Sequence, residues 1–211
     1  MKIAVTGGIG SGKSSVAALL AAALQAELFS ADLVCHELML PDAAGWLEIV
    51  AAWGERFLRS DRTIDRGLMR EAVFRNEAMR RQLESILHPL IRQELKRKME
   101  AAEGLGGRCV VEIPLLFEVG WQDQFDATIA VYAPESVCVT RIVARDGIGE
   151  EAARRILAAQ MPPEEKAAMA THVISNTGLW VQTVQQVSSL ARLLEKKLSK
   201  RENLPIRQDK A

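Results

Sequence analysis

Gly7-Gly8-Ile9-Gly10-Ser11-Gly12-Lys13-Ser14 has the spacing G-x-x-x-x-G-K-[ST]. A run of this kind is suited to holding a chain of phosphates. Its glycines let the backbone curl until several N–H groups point at one anion. A helix that starts directly after the loop adds the positive end of its dipole. Lys13 has the reach for β- and γ-phosphates, and the Ser14 hydroxyl is a ligand for Mg²⁺. Gly8, Gly10, Ser11, Gly12 and Ser15 complete the expected nucleotide-binding set.

Phosphate binding alone does not name a reaction, because GTPase switches, ATPases and kinases share such loops. The chain has no Asn-Lys-x-Asp guanine signature, and 211 residues is short for a motor or transporter ATPase. Arg141, Arg145, Arg154 and Arg155 favour a kinase, since phosphoryl transfer needs positive charge that a closing lid can deliver. Arg154 and Arg155 also fit ion pairs with Glu150 and Glu151, one helical turn earlier. Transfer to an alcohol gains from a carboxylate beside the attacking oxygen. Asp32 lies just past an apolar stretch, Glu27–Ser30, where α/β folds bind ligands. Its other reading is an N-cap for a helix over Leu33–Leu40.

The elements that must carry these residues alternate. Apolar runs predict strands at Lys2–Thr6, Glu27–Ser30, Arg108–Ile113, Ala127–Tyr132 and His172–Ile174. Helices are expected at Ser14–Glu27, with Val16, Leu20 and Leu24 on one face, and at Glu135–Ala144, Glu150–Gln160 and Val181–Leu198. That order predicts an α/β fold, three layers thick, around a parallel five-stranded sheet. Residues 35–104 differ, being charged and helix-like. Glu71–Phe74, Met79–Leu87 and Leu90–Met99 carry apolar residues three and four apart, Pro41 and Pro89 act as breaks, and Gly104–Gly107 as a hinge or turn. The expected division is a nucleotide core at 1–34 and 105–198, with an arginine lid near 140–165. A helical insertion spans 35–104, and a disordered polar tail spans 199–211.

Composition narrows the partners. With 27 Lys+Arg against 27 Asp+Glu, no broad attraction to nucleic acid or anionic membrane is expected. The apolar run Val16–Leu24 falls far short of the ~20 residues that span a bilayer. The three cysteines, Cys35, Cys109 and Cys138, form no CxxC pair and suit a reducing compartment. A cytoplasmic monomer or weak homo-oligomer is the expectation.

Several segments together resemble the dephospho-CoA kinase family. They are T-G-G-I-G-S-G-K-S at Thr6–Ser14, S-A-D at Ser30–Asp32 and D-R-x-I-D-R-x-x-M-R-x-x-V-F ending at Phe74. L-H-P-L-I-R at Leu87–Arg92, E-I-P-L-L-F-E at Glu112–Glu118 and R-x-x-x-R-D at Arg141–Asp146 follow in family order, then Gln160 and V-I-S-N-T-G at Val173–Gly178. The resemblance implies a P-loop kinase fold and transfer of phosphate from ATP, with Mg²⁺, to the 3′-hydroxyl of dephospho-CoA. It makes Asp32 the base or orienting carboxylate. Lys13, Arg141 and Arg145 become stabilisers of the γ-phosphoryl group, and Asn176 and Gly178 neighbours of adenine. His88, Phe117 and Glu118 fall on the acceptor side, the insertion holds the CoA precursor, and Glu112 joins Ser14 at the metal. Ser30, Glu112, Thr171 and Ser175 stand where the family commonly has Asp, and Arg62 follows Asp61 where Gly is usual. Another small-molecule kinase, or an ATP-binding regulator that transfers nothing, also fits the loop.

Overall fold

The computed structural model describes residues 1–202, with side chains described through Lys197. In chain order the elements are β1 (Lys2–Thr6), α1 (Lys13–Leu24), β2 (Glu27–Ser30), α2 (Ala31–Leu38), α3 (Ala44–Trp53), α4 (Arg66–Arg75) and α5 (Glu77–Gly104). Then come β3 (Cys109–Glu112), β4 (Ala127–Tyr132), α6 (Glu135–Asp146), α7 (Glu150–Ala158), α8 (Pro163–Met169), β5 (His172–Ser175) and α9 (Trp180–Glu202). One compact unit comprises Met1–Leu28 and the described residues from Ala102 onward; Phe29–Ala101 forms the other.

The five strands form one sheet in the order β2-β3-β1-β4-β5, with parallel pairing of β1 to β3, β1 to β4 and β4 to β5. Helices cover both sides, giving the three-layer α/β fold expected from the alternation of strands and helices. The strand pattern explains the layering. Successive side chains alternate faces, so Ile3, Val5, Ile129 and Val131 share one buried cluster with Val16, Leu20 and Leu24 of α1 and Val187 and Leu194 of α9. Each buried Val or Leu there contributes roughly 1.5–3 kcal/mol. A smaller cluster joins Val139 and Ile142 of α6 to Ala153 of α7, with Ile9 of the phosphate loop packed against it. The register sets Val5 beside Glu112, so that carboxylate ends its strand next to the point where the loop leaves β1.

Helix α1 stops three residues before the expected Glu27. Gln25 turns left-handed at φ 49° and its N–H reaches back to Ala22, while the Ala26 N–H bonds to Ala21. That is a Schellman stop made without glycine, so no Gly or Pro marks it in the sequence. Helix α8 had no strong periodic signal and was not expected. Helix α9 runs to Glu202 rather than Leu198. The rest of the expected tail, 203–211, lies outside the described residues.

In the other unit the expected break at Pro89 does not occur, because α5 is one helix of 28 residues with Pro89 inside it. Proline removes one hydrogen bond and costs ~3 kcal/mol in a helix interior. Leu87 on one side and Ile91, Leu95 and Met99 on the other are all buried, and their burial outweighs that cost. A Schellman close ends α5, with Gly106 at φ 71° and the Gly107 N–H bonded to Ala102. Arg62 adopts φ 65°, a left-handed turn that glycine takes more cheaply. Its guanidinium stacks 5.0 Å over the Trp46 ring and pairs with Asp42, and its carbonyl accepts the indole N–H at 2.8 Å.

Candidate active site

The phosphate loop leaves β1 and ends at Gly12, the N-cap of α1, where no side chain caps the helix. The first amides of a helix have no intrahelical acceptor, so the uncapped start at Lys13, Ser14 and Ser15 is a ready anion site. Gly10 and Gly12 sit at φ 78° and 86°. A Cβ on Gly10 would stand 2.8 Å from the Cys138 carbonyl oxygen, and one on Gly12 would collide with the Asn176 amide. Both positions therefore require glycine for space as well as for backbone angle.

Arg141 of α6 and Asn176, the residue just after β5, hold the loop by its carbonyls. Arg141 donates from Nη1 to the Gly10 and Ser11 carbonyls at 3.1 and 3.3 Å, and from Nη2 to the Asn176 carbonyl at 3.0 Å. Asn176, 5% exposed, donates to the Ser11 carbonyl at 2.8 Å and accepts the Thr183 hydroxyl at 3.0 Å. Ser11 thus contributes its backbone. A peptide's C=O and N–H point opposite ways, so clamping the Ser11 carbonyl aims the Gly12 N–H away from that clamp, while the Ser11 N–H closes the loop on the Gly8 carbonyl at 3.2 Å. The family resemblance implies Asn176 beside adenine and Arg141 on the γ-phosphate. The geometry gives both a bracing role that no spacing signalled.

Ser14 Oγ donates to Glu112 Oε1 at 2.6 Å, and Glu112 is 8% exposed. A hydroxyl and a carboxylate side by side are hard oxygen donors, which suit Mg²⁺. No group of three or more His, Cys, Asp or Glu able to hold a metal occurs among the described residues. Mg²⁺ characteristically takes one or two protein oxygens and completes its shell with phosphate and water, so the pair fits that ion.

Arg145 is bound side-on to its neighbour Asp146, at 2.7 and 2.9 Å, and that hydrogen bonding raises its already high pKa. Arg155 pairs with Glu151 at 2.7 Å as the helical spacing predicted. Arg154 makes its short contact with Glu135, at 2.8 Å, while Glu150 lies at 3.7 Å. Phe117 is only 6% exposed, a packed core ring rather than an open stacking face. Glu118 accepts the Met161 N–H at 3.2 Å and pairs with Lys166 at 2.7 Å. Lys166, 1% exposed, also donates to the Pro114 carbonyl at 2.6 Å; its Lys-among-Glu surroundings gave no hint of burial. Gly178 lies in the turn after β5.

In the helical unit, Ser30 and not Asp32 is the cap of α2, its Oγ accepting the Leu33 N–H at 3.5 Å. Helix α2 therefore starts at Ala31, two residues ahead of the expected Leu33. Asp32 is an exposed residue of the first turn, where a carboxylate is favoured by the helix dipole. His88 lies mid-helix in α5, not at a helix end.

Comparison with known proteins gives the same direction. The dephospho-CoA kinase family profile matches residues 1–182. A dephospho-CoA kinase of Geobacter metallireducens is 41% identical over 189 residues, covering 89% of this chain and 94% of the relative. A crystal structure of a Thermus thermophilus protein superposes with a TM-score of 0.76 at 33% identity, covering 93% of this chain and 97% of the other. A dephospho-CoA kinase from Campylobacter jejuni superposes at 0.69 with 29% identity, covering 93% and 99%. The chain belongs to the dephospho-CoA kinase family.

Proposed function

We propose that the chain transfers the γ-phosphate of ATP to the 3′-hydroxyl of dephospho-CoA ribose, giving coenzyme A in the final step of its synthesis. The observation that carries this reading is the Ser14–Glu112 contact at the mouth of a braced phosphate loop, in a member of that family. The amides of the loop and of the α1 start hold the triphosphate. Lys13 neutralises charge on the β- and γ-phosphates. Asp32 takes the proton of the 3′-hydroxyl as its oxygen bonds to phosphorus and the bond to the β-phosphate oxygen breaks. Arg141 keeps the loop in shape, and Arg145 joins the transferring group by exchanging Asp146 for phosphate.

Asn176 and Gly178 border the adenine side. The helical unit, with His88, holds the CoA precursor, and Phe117 and Glu118 shape the acceptor end. Ser14 and Glu112 would hold Mg²⁺, which when bound supplies charge neutralisation at the phosphates. No helix among the described residues is long and apolar enough to cross a membrane. Membership in the dephospho-CoA kinase family supports a cytoplasmic site of action.

A panel of acceptors with ATP tests the assignment. Dephospho-CoA is expected to turn over, and nucleoside monophosphates are not. Turnover of a monophosphate with none of dephospho-CoA overturns it.

A further inference from the structure

Gln160 reaches from the end of α7 to the phosphate loop. Its carboxamide oxygen accepts the Ile9 N–H at 3.0 Å. It lies over Gly8, where a Cβ would come within 3.9 Å of that oxygen. The next residue is tied elsewhere, since the Met161 N–H bonds to Glu118. Lys166 then pairs with the same Glu118 oxygen and with the Pro114 carbonyl. Residues 160–166 thus form a strap that touches the donor loop at one residue and the stretch behind Glu112 at the next.

An amide has one N–H to give. Ile9 stands ahead of the Gly12 N-cap, on the strand side of the loop and apart from the uncapped amides at the helix start. A phosphate oxygen is charged and accepts more strongly than a neutral carboxamide. Resting on the ATP reading above, we propose that Gln160 is a positioning residue whose oxygen occupies the Ile9 amide in place of a terminal phosphoryl oxygen. It yields that amide when a nucleoside triphosphate binds, so the strap distinguishes triphosphate from diphosphate.

The test is titration calorimetry of the full chain with a non-hydrolysable ATP analogue and with ADP. In Gln160→Ala the analogue is expected to bind about 2- to 10-fold tighter, the worth of one released hydrogen bond, with ADP affinity unchanged. Gln160→Glu keeps an acceptor but adds negative charge, and is expected to weaken the analogue while sparing ADP. Amide exchange at Ile9, read by ¹⁵N NMR on ligand-free protein, is expected to accelerate in Gln160→Ala. A merely structural role would move both nucleotides together, and that outcome, or unchanged Ile9 exchange, overturns the inference. Wild-type turnover on dephospho-CoA is read separately. Its absence with the nucleotide contrast intact sinks the activity reading alone, and its presence without the contrast sinks only the role of Gln160.

Discussion

Asn176 shows how one buried amide can brace a binding loop through the loop's backbone. Its Nδ2 holds the Ser11 carbonyl and its Oδ1 accepts from Thr183, so donor and acceptor ends do different work. Asn176→Asp keeps the acceptor but turns an oxygen against the Ser11 carbonyl. Unfolding in urea should show a loss of about 1–3 kcal/mol, the cost of a buried polar mismatch, together with weaker ATP binding. Unchanged stability and affinity would remove the bracing role. Asp32 makes the opposite case, as an exposed carboxylate whose capping work Ser30 has taken. Asp32→Asn should bind nucleotide as the wild type does and turn over about 10²-fold more slowly; normal turnover would dismiss it as the base. Thr171, where an aspartate is common in the family, is likewise accounted for. It exchanges backbone and hydroxyl hydrogen bonds with Thr128 at 2.8 to 3.0 Å, closing the start of β5 onto β4 without a charge.

Elements with a strong local rule were legible in advance. β4 is buried from Ala127 to Val131, with Thr128 its one polar side chain in that run, and spans the same residues as expected, Ala127–Tyr132. The loop between β1 and α1 was readable because glycine spacing has a direct geometric meaning. What failed depended on tertiary contacts. The Gln25 stop of α1 is a backbone event without a sequence marker. Lys166 is buried only because Glu118 and Pro114 meet it from far along the chain. Asn176 and Arg141 were expected at the site from the family resemblance, but their grip on loop carbonyls needed coordinates. Pro89 misled because the local rule lost to burial on both sides of it. If that account is right, Pro89→Ala restores a helix hydrogen bond at a site already helical. The urea midpoint should rise, by about 1–3 kcal/mol in stability, and a fall would mean that the ring itself packs there.

Across the whole molecule, pH enters through His172 at the start of β5. Burial, with Lys197 nearby, holds its imidazole below the ordinary 6.5. The unfolded chain therefore takes up this proton more readily than the folded one. Stability from the group is full above 6.5 and falls as pH drops through 6.5 toward the lowered folded value. Urea unfolding at about pH 7 and about pH 5 should show a steeper acid loss for wild type than for His172→Gln, and equal slopes would exclude the group. Cys109 behaves in the other direction, its thiol pushed up to about 11 by burial, which leaves almost no thiolate at neutral pH. Lys166 carries a further consequence. With its ammonium shut away at 1% exposure, it is hidden from amine-acylating reagents while the protein is intact. Timed acylation read by peptide mass would turn this one lysine into a clock for how often that part of the molecule breathes, with nucleotide present or absent.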